Sequence, residues 1–151
     1  MSAPDPDSAI AWFQVALGDL MAAQALAAHG GLPSRVVAAL AQQAAEKAIK
    51  AAIAFAGTDP PRTHDLVALS AGLRAHGLSI PESVDLAELT DGLRTGRYPD
   101  PDEPSPGPSA VADLVASSQT IIEIVRGHLE ANGVDLNGIC LLYTSPSPRD
   151  S

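Results

Sequence analysis

Apolar residues recur at intervals of three and four positions through most of the chain, which is the spacing of one face of an α-helix. Five helices are predicted on this basis, at about residues 8–29, 33–57, 63–77, 81–93 and 109–132. Ser8 and Thr63 are predicted to cap two of them. No alternating strand pattern is found, and most connections are short. The pattern therefore predicts an all-α, up-down bundle of four to five helices, mostly antiparallel.

A proline-rich stretch, "RYPDPDEPSPGPS", separates the last two predicted helices and is expected to be an extended surface loop. The predicted organisation is a disordered N-terminus at residues 1–8, one helical domain at residues 9–133 and an unstructured tail at residues 134–151. Within that tail, "CLLYTSPSPRDS" at residues 140–151 resembles a translated sequencing adaptor, so we expect the native C-terminus to differ.

Composition narrows the classes of function. Hydrophobic residues make up 46% of the 151 residues but aromatics only 3%, so the core is expected to consist of small and aliphatic side chains. The net charge of −9 argues against a general nucleic-acid binder, although five cations lie in the middle of the chain: Lys47, Lys50, Arg62, Arg94 and Arg97. The start carries no basic leader and no apolar run reaches membrane-spanning length, so a soluble, cytoplasmic protein is expected. The single cysteine and the spacing of the histidines predict no metal site or cofactor.

One stretch of the second helix, "QQAAEKAIKAAIAFAG", groups its polar residues on one arc, opposite alanines and larger apolar residues. The members of this polar arc are Gln42, Gln43, Glu46, Lys47 and Lys50. Two interpretations are open. The arc is either a solvated helix face, in which Glu46 and Lys50 form an i,i+4 pair, or a surface that binds a ligand. The pattern alone favours the solvated face.

Several motifs in order resemble the HEPN domain, a helical family named for nucleotide binding in higher eukaryotes and prokaryotes. They are "WFQVALGDLMAAQAL", "QQAAEKAIKA", "PPRTHDLVALSAGL" and "LAELT…GRYPD", and the resemblance covers about residues 9–126. It implies a bundle of four to five helices that frequently forms homodimers. It also implies a neighbouring gene for a minimal nucleotidyltransferase, in pairs that look like toxin–antitoxin modules.

The resemblance also implies candidate ligand-binding residues. These are Gln43, Glu46, Lys47 and Lys50 on the second helix, His64 and Asp65 in the Thr-His-Asp turn, and Arg97 and Tyr98 in the Arg-Tyr-Pro segment. The lysines and Arg97 could neutralise a phosphate, Tyr98 could stack on a base, and the helix N-terminus near Thr63 could offer free N–H groups. The alternatives are that His64 and Asp65 form a local helix cap, and that Arg97 and Tyr98 only anchor the loop.

One feature of the ribonuclease members of the family is absent. They carry an arginine followed by a histidine after four to six intervening residues, whereas Arg62, Arg74 and Arg126 each precede a histidine by one intervening residue. No catalytic residue is therefore predicted. The leading hypothesis is a nucleotide-binding or regulatory partner of a minimal nucleotidyltransferase. An RNA-cleaving toxin and a helical interaction module without a ligand are the alternatives.

Overall fold

The computed structural model describes residues 3–30, 33–97, 100–102 and 104–140. The helices are α1 (Pro6–His29), α2 (Ser34–Phe55), α3 (Leu66–Leu73), α4 (Leu86–Arg97), α5 (Pro108–Ala131) and the short α6 (Asn137–Cys140), and a 3-10 turn (Arg74–His76) continues α3. No strand occurs among the described residues. The prediction of an all-α bundle is confirmed.

Helix α2 lies at the centre of the bundle, where it contacts α1, α3, α4 and α5. Its alanines make this possible, because small side chains let neighbouring helices approach closely. One close approach involves α4: a Cβ added at Gly92 would lie 2.8 Å from the carbonyl oxygen of Ala38. Ile53, which projects toward the polar side of the helix, is also buried, with 5% of its surface exposed. The helix is therefore covered on nearly all sides.

Aspartates at the helix starts shift the predicted boundaries. α1 begins at Pro6, because the Asp5 carboxylate accepts a hydrogen bond from the backbone N–H of Ser8 at 3.0 Å. The backbone N–H of Asp5 also donates to the carbonyl of Phe55. The prediction of a disordered segment over residues 1–8 is thus wrong for residues 5–8, which cap and begin α1. Similarly, α4 begins after Asp85, whose carboxylate accepts from the N–H of Glu88 at 3.0 Å.

The segment that follows α5 is part of the core. Gly133 ends the helix with a φ of 87°, which a glycine adopts without strain. Val134, Leu136 and Ile139 are then buried, with 6%, 1% and 5% of their surfaces exposed. The prediction of an unstructured tail from residue 134 is wrong up to residue 140, because these three apolar side chains have a place to pack. Residues 141–151 lie outside the described residues, and the adaptor origin of the end stays a prediction.

Of the described helices, α1 is long and apolar enough to cross a membrane by length and composition alone. The sequence pattern predicts no such segment, since a polar face interrupts each helix. Phe13, Leu17 and Leu20 on this helix are at most 2% exposed and belong to the main core cluster. The apolar content of α1 is therefore accounted for in part by its packing on α2, and a membrane is not indicated.

Candidate functional site

The polar arc of α2 is mostly buried. Gln42, Glu46 and Lys50 have 0%, 1% and 6% of their surfaces exposed, whereas Gln43 and Lys47 are partly exposed. The interpretation of this arc as a solvated face is wrong for the three buried residues. The physical reason is that α1 and the loop before α3 cover this side of the helix, through the contacts described next.

Glu46 is the centre of the buried group. Its Oε1 accepts hydrogen bonds from Gln42 Nε2 at 3.0 Å and from His64 Nδ1 at 2.7 Å. Its Oε2 accepts from Lys50 Nζ at 3.0 Å and lies 3.6 Å from Lys47 Nζ. Burial raises the pKa of this carboxyl, but the hydrogen bonds from Gln42, His64 and Lys50 outweigh burial and lower the pKa overall. Glu46 is thus a buried, ionised carboxylate that its neighbours hold in place.

Helix α1 contributes an aromatic ring and a second carboxylate to the group. The ammonium groups of Lys47 and Lys50 lie 5.3 Å and 5.7 Å from the ring centroid of Trp12, within the range of cation–π attraction. Burial raises the pKa of Asp19, and the charge of Lys47 opposes that rise. Lys47 therefore lies in the field of two carboxylates and beside an indole ring.

His64 joins the loop before α3 to α2. Its Nδ1 contacts Glu46, and its backbone carbonyl accepts from Gln42 Nε2 at 3.1 Å. The side chain is 56% exposed nevertheless, so it has one end in the buried group and the other at the surface. His64 is not a helix cap: that part is taken by Asp65, whose Oδ1 accepts from the backbone N–H groups of Val67 and Ala68 at 3.0 Å and 3.4 Å.

The start of α3 does not offer the free N–H groups that the sequence predicts. The N–H of Asp65 donates to Thr63 Oγ1, and that of Leu66 donates to Thr90 Oγ1, both at 3.1 Å. The next two N–H groups are the ones that the Asp65 carboxylate accepts from. An anion site at this helix end is ruled out in this arrangement, because its donors already have partners.

The remaining candidates are placed only in part. Gln43 lies at the edge of the polar arc and is half-buried. Arg97 ends α4, but its side chain lies outside the described residues, as does Tyr98, so their predicted contact with a ligand stays a prediction. Reasoning from the sequence missed Trp12 and Asp19 as members of the group. They lie on a different helix, and no spacing rule connects them to Glu46.

Two cavities of the described structure lie away from the Glu46 group. A cavity of about 320 Å³ lies between the end of α1, the start of α2 and the start of α5, lined by residues that include Leu26, Val37 and Val111. A groove of about 570 Å³ runs between α3 and α4. Neither is lined by Glu46, Lys47, Lys50 or His64. Within the part of the chain that the structure describes, no three His, Cys, Asp or Glu side chains converge as metal ligands.

Comparison with known proteins agrees with the architecture. A model of the HEPN domain matches residues 9–128, which is most of the chain. No curated protein and no solved structure matches this chain.

Proposed function

Because the chain belongs to the HEPN family, we propose that it binds a nucleotide and acts as the regulatory partner of a minimal nucleotidyltransferase, in a module of the toxin–antitoxin kind. The observation that carries the nucleotide part is the Glu46 group. One buried carboxylate holds two donors, Lys47 and His64, at the same surface. The partner part rests on what the resemblance implies.

The candidate residues have different parts in this proposal. Lys47 and His64 have side chains that are 28% and 56% exposed, so both reach the surface where a phosphate would bind. Lys50 is only 7% exposed and is committed to Glu46, so it positions the group and does not contact the ligand. Arg97, the last residue of α4, and Tyr98, the next residue in the sequence, are proposed to contribute a second charge and a stacking surface.

Nucleotide binding can be measured through Trp12, which is the single tryptophan of the chain. A phosphate that draws Lys47 away from the indole should change its fluorescence. We expect ADP to bind, and we expect Lys47→Met to weaken binding by about 1.5–3 kcal/mol, the range for a lost charge-assisted hydrogen bond. Because Lys47→Met also removes the charge beside Trp12 and so changes the fluorescence signal itself, the difference in affinity should be measured by calorimetry as well. The matched control is Arg74→Met, which removes an exposed cation from the 3-10 turn and should leave the affinity unchanged.

The outcomes separate the possible functions. Equal affinity of the Lys47→Met variant and the unaltered protein would exclude this surface as the nucleotide site. No nucleotide binding at all would favour the helical interaction module without a ligand. Co-purification with the product of an adjacent nucleotidyltransferase gene tests the partner part, and its failure when both are expressed together would count against it.

A homodimer is part of the proposal. Among the residues whose burial is described, four large apolar side chains are 38–50% exposed, namely Val15, Met21, Val36 and Val67. Burial of such side chains against a second copy would stabilise a dimer. Light scattering should give the mass of a dimer at tens of micromolar, and a monomer mass would contradict the proposal.

One observation favours a second candidate, the RNA-cleaving toxin. A histidine whose Nδ1 is held by a carboxylate, as in the pair of His64 and Glu46, presents its other nitrogen for proton transfer. That nitrogen could take the proton of a ribose 2′-OH as the oxygen attacks the adjacent phosphorus. The 5′-oxygen would then leave with a proton from water and a 2′,3′-cyclic phosphate would remain. The test is cleavage of single-stranded RNA with detection of that product, and loss of cleavage in His64→Gln would support this candidate.

A further inference from the structure

The charges of the Glu46 group are formally balanced when His64 is neutral. Asp19 and Glu46 contribute two carboxylates, and Lys47 and Lys50 contribute two ammonium groups. The field that a phosphate meets at this surface therefore depends on the protonation of His64. This imidazole is the member of the group with most of its side chain exposed.

The hydrogen bond of His64 determines where a second proton goes. A carboxylate can only accept, so Nδ1 carries hydrogen whether the ring is neutral or charged. In the neutral ring Nε2 is an acceptor and would oppose a phosphate oxygen. In the charged ring Nε2 becomes a donor. The contact of 2.7 Å commits Nδ1 to Glu46, so Nε2 is the ring nitrogen that remains for a ligand.

We propose that this surface is a proton-linked oxyanion site: it binds the phosphate of a nucleotide through Nε2–H of the charged His64, with Lys47 as the second donor. The proposal rests on the proposed nucleotide binding and adds how that binding is controlled. Glu46 is a positioning residue here, because it contacts the imidazole and is 1% exposed, so it does not contact the ligand.

The other charged groups near His64 lie on α2 and on its own loop. On α2, Lys47 and Lys50 both contact Glu46, the carboxylate that also holds the imidazole. On its own loop, Arg62 is exposed, and the Asp65 carboxylate accepts from the backbone of α3. On α4, the hydroxyl of Thr90, which carries no charge, accepts from the backbone N–H of Leu66 at the start of α3.

The experiment is a set of ADP titrations between pH 6.0 and 8.5, followed by calorimetry, with the unaltered protein and the His64→Gln variant. The phosphate of ADP titrates in this range, but it does so equally for both proteins. The ratio of their affinities therefore reports His64 alone. We expect this ratio to rise about tenfold as the pH falls, in line with the gain of one charge-assisted hydrogen bond. His29→Gln, at the exposed end of α1, is the control and should follow the unaltered protein.

Inorganic phosphate and adenosine identify which part of the nucleotide is responsible. With phosphate, the ratio of the affinities of the unaltered protein and His64→Gln should rise at low pH as it does with ADP. With adenosine, it should stay constant. ADP binding with a ratio that stays constant from pH 6.0 to 8.5 would overturn the proton linkage and leave the proposed function intact. Absence of ADP binding at every pH would overturn both.

Discussion

Replacing Lys50 with methionine tests whether the polar arc of α2 is internal. The change keeps most of the apolar stem and removes the ammonium group that lies 3.0 Å from Glu46 Oε2 and 5.7 Å from the Trp12 ring centroid. Loss of one partner from a buried ion pair costs about 3–5 kcal/mol. Because Gln42 and His64 still donate to the carboxylate, we expect the lower end of that range, about 3 kcal/mol of unfolding free energy. On a solvated helix face the same change would cost less than about 0.5 kcal/mol.

Urea unfolding followed by far-UV circular dichroism is the suitable assay, because it does not depend on the emission of Trp12. Lys47→Met is the matched control: its ammonium lies 3.6 Å from Glu46 and its side chain is 28% exposed, so we expect a cost below about 1 kcal/mol. In the double variant Glu46→Leu with Lys50→Met, the two costs should be less than additive, since the buried ammonium and the buried carboxylate are removed together. A cost for Lys50→Met as small as that of Lys47→Met would refute the reasoning.

Three further predictions concern packing and pH. Gly92→Ala should destabilise the protein by about 1–3 kcal/mol in urea unfolding, because the new Cβ would meet the carbonyl oxygen of Ala38 at 2.8 Å. Deletion of residues 134–151 should lower the melting temperature by several degrees, since it removes three buried apolar side chains, whereas deletion of residues 141–151 should leave it unchanged. Burial lowers the pKa of His128 below its usual 6.5, so the unfolded chain binds a proton at this residue more readily than the folded one. The free energy of unfolding should therefore fall as the pH drops through about 6.5 and below. This part of the fall should disappear in the His128→Gln variant.

The helices could be predicted because their signal is local. Each has a periodic apolar face within its own segment, and the all-α bundle follows from those faces. The boundaries could not be predicted as well, since a cap is chosen by contacts outside the segment. Thr63 is a suitable capping residue, yet its hydroxyl accepts from the N–H of Asp65, and Asp65 caps α3 instead. The tail after Gly133 was missed for a similar reason: three apolar residues without periodicity do not indicate where they pack.

Only part of the Glu46 group follows from the sequence, and its arrangement does not. The family resemblance includes Glu46, Lys47, Lys50 and His64 among its candidates, and the structure brings the two lysines and the histidine to the carboxylate of Glu46. The periodicity of α2 implies that polar residues face water, which is wrong here. A helical period shows which residues share a side, but it contains no information on what covers that side. Trp12 lies on another helix, and only the folded bundle brings it to the arc.

The burial of the arc follows from the central position of α2. A helix surrounded by four others has to satisfy its polar side chains internally, and much of that can be done along its own length. Gln42 and Lys50 lie four residues before and four residues after Glu46, so one carboxylate accepts from both neighbouring turns. A solvated Glu–Lys pair needs only the contact from the lysine four residues later, here Lys50. The contact from Gln42 gives the buried carboxylate a further donor from the turn before it, while Ala41, Ala44 and Ala45 admit the neighbouring helices.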